Sequence, residues 1–140
     1  MAEYTLIHLN LRAPLKYTEV AGQIPFVCPF PGDETGPEII FCYELDHEQA
    51  GSIDPQADSF LGRLVFSGKM DNEYGEFQLP AGLYLFSQQK KALNRDECIA
   101  MAIEQQKDGL WERLKLGKRL YIRCLYEDNS PVVQLFRPYN

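Results

Sequence analysis

The chain has 140 residues, of which 45% are hydrophobic, 12% aromatic and 24% charged. A chain of this length buries about two-thirds of the surface it exposes when unfolded, so residues 1–140 are expected to form a single domain without metal or disulfide staples. Fourteen basic and twenty acidic residues give a formal net charge of −6. This charge repels phosphate backbones and argues against a nucleic-acid partner.

Targeting and membrane signals are not evident in the sequence. No apolar run approaches the roughly 20 residues of a membrane-spanning helix, and Met1-Ala2-Glu3-Tyr4 has neither a basic nor an apolar signal region. We therefore expect a cytoplasmic protein with no membrane partner.

Chemistry-bearing residues are sparse. The cysteines form no CxxC pair and are expected to be reduced core residues; they are Cys28, Cys42, Cys98 and Cys124. His8 and His47 are isolated from each other and from any metal-ligand spacing. No serine lies in a GxSxG context. We predict no metal, no cofactor and no catalytic residue.

The first half of the chain begins with a strand-like segment. Tyr4 to Leu11 alternates apolar and polar residues, as a half-buried strand does. Ala13 to Pro37 contains five prolines and three glycines, which predicts a long irregular loop with room for a short helix only at Lys16 to Gly22. Such loops are often functional.

A second strand is predicted at Glu38 to Asp46. One of its faces carries Ile39, Phe41, Tyr43 and Leu45, and the other carries Ile40, Cys42 and Glu44.

The middle of the chain alternates connections and strands. His47 to Asp58 is polar and predicts a connection, and Phe60 to Ser67 predicts a third strand. Gly68 to Gly75 supplies turn residues. A hairpin-like return through Phe77 to Leu79 then leads to a fourth strand at Leu83 to Ser87.

A long helix is predicted near residues 95–114. Asn94 and Glu97 have capping-box spacing, Gly109 can mark a break, and Gly117 can end the helix in the left-handed conformation. The residues that follow the cap at helical spacing form one stripe of an amphipathic helix and are Ile99, Ile103, Gln106, Leu110 and Leu114. Two final strands are predicted at Arg119 to Tyr126 and Pro131 to Pro138.

The order of elements from the fourth strand onwards is similar to a known family. The quoted residues are QLPAGLYLF (78–86), then the helix, then LYIRCLYED (120–128) and VVQLFRPYN (132–140) with a proline at Pro138. They resemble the gyrase-inhibitor-like small-molecule-binding domain, which also forms the effector-binding half of multidrug-sensing transcription regulators. The resemblance covers residues 37–140. It implies an α+β fold in which two pseudo-repeated β-α-β-β units, the first degenerate, form antiparallel sheets around a ligand cleft, with one long helix.

The chain departs from this family at one position. Members often place a glutamate for cationic lipophilic ligands on the strand after the helix, and counting back from Asp128 puts Arg123 there. A guanidinium favours a carboxylate or phosphate over a cation. Alternatively, Arg123 pairs with Glu44, Glu127 or another acid, or lies in solvent. Glu44 is a candidate to replace the missing glutamate.

Alternation on the strand after the helix assigns its two faces. Leu120, Ile122, Cys124 and Tyr126 are expected under the helix, and Tyr121, Arg123 and Leu125 on the cleft side.

Aromatic rings are the other expected ingredient of a ligand cleft, although each is also a candidate for core packing. Trp111 lies one position beyond the helix stripe and is expected to overhang the cleft. The predicted ligand-binding residues are Tyr43, Glu44, Tyr84, Trp111, Tyr121 and Arg123, with Phe41 as a further aromatic candidate.

Three functions remain open at this point. The first is a stand-alone module that senses or sequesters a small amphipathic or aromatic ligand. The second is an interaction module that docks on a protein partner such as an enzyme, as the gyrase-inhibitor resemblance suggests. The third is a small hydrolase of toxic small molecules. A DNA-binding regulator is not expected, because the sequence has no helix-turn-helix region.

Overall fold

The computed structural model describes residues 5–25, 38–44, 61–67, 75–117 and 119–139. The α+β class, the antiparallel strands and the long helix are confirmed. The elements are β1 (Thr5–Leu11), β2 (Leu15–Pro25), β3 (Glu38–Glu44), β4 (Leu61–Ser67), β5 (Gly75–Leu79), β6 (Gly82–Gln89), α1 (Arg95–Trp111), β7 (Arg119–Glu127) and β8 (Ser130–Tyr139). Cys28, His47, the connection predicted at 47–58 and residues 68–74 of the turn segment predicted at 68–75 lie outside the described residues.

The eight strands form one hydrogen-bonded sheet in the order β1-β6-β8-β7-β3-β4-β2-β5. In a flat sheet, β6 and β5 would lie six strand spacings apart, or about 29 Å. They are joined by only two residues, Pro80 and Ala81, and such a connection reaches about 11 Å. The sheet therefore curls, and β5 returns towards β6.

Side-chain contacts show which face of the curled sheet is the inner one. The rings of Phe77 on β5 and Tyr121 on β7 are 6.3 Å apart between centroids, although four strand spacings, about 19 Å in a flat sheet, separate their strands. We call the face that bears these two rings the inner face. Its buried cluster comprises Tyr17, Ile40, Phe77, Leu79, Tyr84, Tyr121 and Phe136.

The prediction for Lys16 to Gly22 was wrong, because this segment belongs to strand β2 and not to a short helix. The strand pairs with β5 through Leu15 to Glu19 and with β4 through Tyr17 to Pro25. Its register with β4 shifts on both sides of Ala21, which is the kind of irregularity that bends a strand in a curled sheet. The unit predicted to contain a helix therefore contains a strand in its place.

Helix α1 covers the opposite face of the sheet, which we call the outer face. Its capping box is confirmed: the Glu97 amide donates to the Asn94 side chain at 2.8 Å, and the Asn94 amide donates to the Glu97 carboxylate at 3.1 Å. The outer core joins the helix to β3, β7 and β8 and comprises Ile39, Phe41, Leu93, Cys98, Ile99, Met101, Ala102, Leu120, Ile122, Cys124, Val133 and Leu135.

The predicted stripe of α1 was only partly right. Ile99 and Gln106 are buried, but Leu110 is 36% exposed and Leu114 lies beyond the helix end. Gln105 is buried instead and donates to the carbonyl oxygens of Leu85 and Leu135 and to the Ser87 hydroxyl. This amide fastens the helix to strands β6 and β8.

The helix ends three residues earlier than predicted, at Trp111. Arg113 adopts the left-handed conformation with a φ of 61°, whereas the Gly117 amide donates to the Pro138 carbonyl oxygen at 2.8 Å. Gly109 lies inside the helix and does not break it. A Cβ there would lie 2.7 Å from Leu85 Cδ1 and 2.9 Å from the nearest Leu116 Cδ atom, so a larger residue would force these leucine side chains to shift.

Candidate functional site

A row of polar side chains crosses the inner face from β6 to β3. The register aligns Gln88, Gln134 and Arg123 on the neighbouring strands β6, β8 and β7. The next position across the sheet is the apolar Ile40 on β3. Gln134 Nε2 donates to Gln88 Oε1 at 2.8 Å, and Arg123 Nη1 donates to Gln134 Oε1 at 3.1 Å. The row therefore forms one continuous hydrogen-bonded chain, which we call the polar row.

Arg123 is held at the end of the polar row by a two-point ion pair with Glu38. Its Nε donates to Glu38 Oε2 at 2.8 Å, and its Nη2 donates to Glu38 Oε1 at 2.6 Å. The two side chains retain 19% and 18% of their exposure, respectively. Burial by itself would lower the pKa of Arg123, but the hydrogen bonds to Glu38 and the nearby charges raise it above its ordinary value. Arg123 therefore stays charged, and Glu38 balances that charge.

Tyr17 reaches the same ion pair from strand β2, on the far side of the curled sheet. The guanidinium carbon of Arg123 lies 5.8 Å from the centroid of the Tyr17 ring, within cation–π range. Burial raises the pKa of the Tyr17 hydroxyl, Arg123 lowers it and Glu38 raises it, with a net increase. The phenol is therefore neutral at pH 7.

An aromatic row lies beside the polar row, and each of its residues is two positions from a polar-row residue on the same strand. Phe86, Phe136 and Tyr121 are register partners on β6, β8 and β7. Phe86 and Phe136 pack edge to face with centroids 5.1 Å apart. Tyr84 packs against Phe136 with centroids 6.1 Å apart. The combination gives stacking surfaces next to hydrogen-bonding groups.

Most of the aromatic rings of the inner site are buried, and some of its other side chains are partly exposed. Tyr84 donates its hydroxyl to the Pro80 carbonyl oxygen, and burial, with a smaller effect of Tyr121, raises its pKa to about 12. By contrast, Phe86 is only partly buried, as are the Arg123 and Glu38 side chains. The inner face is therefore partly exposed at Phe86, Arg123 and Glu38, whereas Gln134 and the Tyr84, Tyr121 and Phe136 rings are buried.

The structure brings together three of the six predicted ligand-binding residues. Tyr84, Tyr121 and Arg123 all lie on the inner face, and the predicted division of β7 into two faces is confirmed by the positions of Tyr121 and Leu120 in different cores. The alternative in which Arg123 pairs with an acid other than Glu44 or Glu127 describes the structure, and that acid is Glu38.

The other three predicted residues lie elsewhere. Tyr43 pairs in register with Leu120, so its position belongs to the outer face, as does that of the buried Phe41. Glu44 pairs in register with Arg119 on β7. Arg119 and Arg123 are four residues apart on that strand, which is a distance of about 13 Å. The side chains of Tyr43 and Glu44 lie outside the described residues. Trp111 is 87% exposed and lies at the end of the helix that covers the outer face, whereas Tyr121 and Arg123 lie on the inner face.

Sequence reasoning missed four residues of the inner site, namely Tyr17, Glu38, Gln88 and Gln134. The position of Gln134 beside Arg123 could have been predicted from the sequence. The Asp128–Asn129 turn has positive φ at both residues and fixes the register of β7 with β8. Tyr17 and Glu38 depend on pairings between distant strands, which carry no local sequence signal.

No protein-family model and no curated protein matches the chain. Within the described ranges, no three His, Cys, Asp or Glu side chains are grouped to hold a metal ion. Over the same ranges, no helix is long and apolar enough to cross a membrane.

Proposed function

We propose that this protein is a small-molecule-binding module whose ligand is a polar aromatic compound, and that its site is the polar row with the adjoining aromatic row. The observation that carries the proposal is the partly open Arg123–Glu38 pair beside the rings of Tyr121 and Phe136. Binding pockets usually combine apolar and aromatic walls with a few fixed polar groups, and these rows supply both. We further propose a cytoplasmic location and membership of the gyrase-inhibitor-like class.

The charge balance of the site favours a neutral ligand. The carboxylate of Glu38 takes two of the guanidinium donors and cancels the positive charge of Arg123 locally. A ligand carboxylate would have to compete with Glu38, and a ligand cation would meet an acid that is already paired. An uncharged amide or phenol can instead exchange hydrogen bonds with Gln88 and Gln134 without separating the pair.

The proposal is tested by calorimetric titration with three matched probes: 2-naphthamide, 2-naphthoate and 2-naphthylmethylammonium. Wild type should bind the neutral amide most tightly. Glu38→Gln leaves the Arg123 charge without its counterion and should move the preference to naphthoate by about tenfold or more. Glu104→Gln is the matched control, because it also removes one carboxylate but from an exposed pair with Lys107 on α1.

Two results would count against the proposal. Heats that fail to saturate for all three probes would remove the evidence for a small-molecule site. An equal change of preference in Glu38→Gln and Glu104→Gln would show that only net charge matters and that the inner site does not contact the probe.

A further inference from the structure

A second cluster of chemistry-bearing side chains lies on the outer face, away from the inner site. His8 on β1 contacts the last strand and the end of the helix at once. Its Nδ1 lies 2.8 Å from the Tyr139 hydroxyl, and its Nε2 lies 3.2 Å from Glu112 Oε1. The His8 and Tyr139 rings meet edge to face with centroids 5.4 Å apart. A phenol, an imidazole and a carboxylate are thus linked in series.

The two contacts fix the direction of the protons when the imidazole is neutral. The Glu112 carboxylate only accepts hydrogen bonds, so His8 Nε2 must carry the proton and Nδ1 must be the unprotonated nitrogen. The Tyr139 hydroxyl therefore donates to Nδ1. This is the arrangement in which a carboxylate orients an imidazole and the imidazole acts as a general base on a hydroxyl.

From this geometry we propose that Tyr139 is a nucleophile that accepts acyl groups from aryl esters, with His8 as its general base and Glu112 as the positioning residue. The site is open to such substrates. The His8 and Glu112 side chains are 45% and 42% exposed. Leu83, the register partner of Tyr139, is 40% exposed, and Trp111 beside Glu112 is 87% exposed, so apolar surface accompanies the reactive groups.

The reaction balances without any further reagent. The Tyr139 oxygen attacks the ester carbonyl, a phenolic C–O bond forms, and the ester bond to the leaving aryloxide breaks. The phenol proton passes to His8 Nδ1 and from there to the aryloxide or to water. Neutral His8 can then take a proton from a water molecule that attacks the tyrosyl ester, which releases the acid and restores the Tyr139 hydroxyl. A phenol ionises near pH 10 and is therefore a competent leaving group in this second step.

The test uses 4-nitrophenyl acetate with the full chain, nitrophenolate release for the rate, and peptide mass spectrometry for the modified residue. In wild type the acetyl group should appear first on Tyr139, and nitrophenolate release should be lost in Tyr139→Phe. In His8→Gln the rate should fall about 100-fold, as for loss of a general base. In Glu112→Gln it should fall less, and Glu104→Gln should match wild type because that carboxylate is exposed on the helix away from His8.

The pH profile separates a general base from a structural contact. Among the described residues, Glu112 at the helix end and Tyr139 on β8 contact His8, and Arg137 on β8 lies at the same register level across β6. Under a general-base mechanism the wild-type rate should increase with pH, and a folded His8→Gln variant should lack that increase. Acetylation of wild type mainly at lysines or at Tyr126, or equal rates at Tyr139 in wild type and a folded His8→Gln variant, would overturn the proposal. If a variant fails to fold, the position of the acetyl group in the wild-type protein decides the outcome by itself.

Discussion

The Arg123–Glu38 pair offers a thermodynamic test of whether the inner site is an organised unit. The perturbations are Arg123→Met, Glu38→Leu and the double variant. Each single change leaves one charge unpaired in a site where about four-fifths of the side-chain surface is buried, since the exposed fractions are 19% and 18%. The assay is urea unfolding followed by far-UV circular dichroism, because Trp111 is too exposed to report on the inner face.

The magnitudes follow from burial and hydrogen bonding. Removing one partner of a fully buried pair costs about 3–5 kcal/mol, and residual solvation lowers this to about 2–3 kcal/mol for each single variant here. The double variant removes both charges and leaves the Gln134 carbonyl without its Arg123 donor, so it should also cost only about 2–3 kcal/mol. The coupling free energy should therefore be about 2–3 kcal/mol and should change little with salt.

An additive result would refute this reasoning. If the double variant were destabilised by the sum of the two single changes to within about 0.5 kcal/mol, the two side chains would not act as a pair. The polar row would then be a solvated surface rather than a preorganised site. Equal m-values across the four proteins are the control that the unfolded state has not changed.

Three further predictions concern the scaffold. Gly109→Ala should destabilise the protein by about 1–2 kcal/mol, because overpacking against the fully buried Leu85 and Leu116 outweighs a helix-propensity gain of about 1 kcal/mol; urea unfolding measures it, and a more stable variant would show that these side chains yield. Asn94→Ala should cost about 1 kcal/mol by the same assay through loss of the capping box, and no loss would mean that the cap is not formed. Burial, with a smaller effect of Glu97, raises the pKa of Cys98 to about 12 from 9.0, so the folded state holds that proton more tightly and its stability should fall as pH rises from about 9 towards 12. Cys98→Ala should lessen that fall, and rapid labelling of Cys98 by a thiol reagent in the native protein would contradict its burial.

Local signals in the sequence predicted the helix well, because a capping box satisfies its own hydrogen bonds within four residues. The end of the helix was missed since it depends on Arg113 entering the left-handed conformation, which glycine adopts more easily. The buried face differs from the predicted stripe because Gln105 is buried through hydrogen bonds to strands β6 and β8, and a polar residue does not contribute to an apolar pattern.

Long-range pairing explains the remaining errors. Proline and glycine in Ala13 to Pro37 indicated a loop, yet Leu15–Pro25 is a strand because β4 and β5 supply its hydrogen-bond partners. Tyr43 and Tyr121 were expected on one face, but the face on which two residues from different strands meet depends on register. Cys42 is the partner of Tyr121, and that pairing moves Tyr43 to the outer face.

The claim that a small molecule binds on the inner face can be tested by mapping amide chemical shifts during a titration with 2-naphthamide. Saturable shifts should concentrate at Gln88, Tyr121, Arg123 and Gln134, the residues of the polar row and its aromatic neighbour, with little change at helix residues 95–111. Shifts that do not saturate, or that centre on the helix and the outer face around Trp111, would contradict the claim.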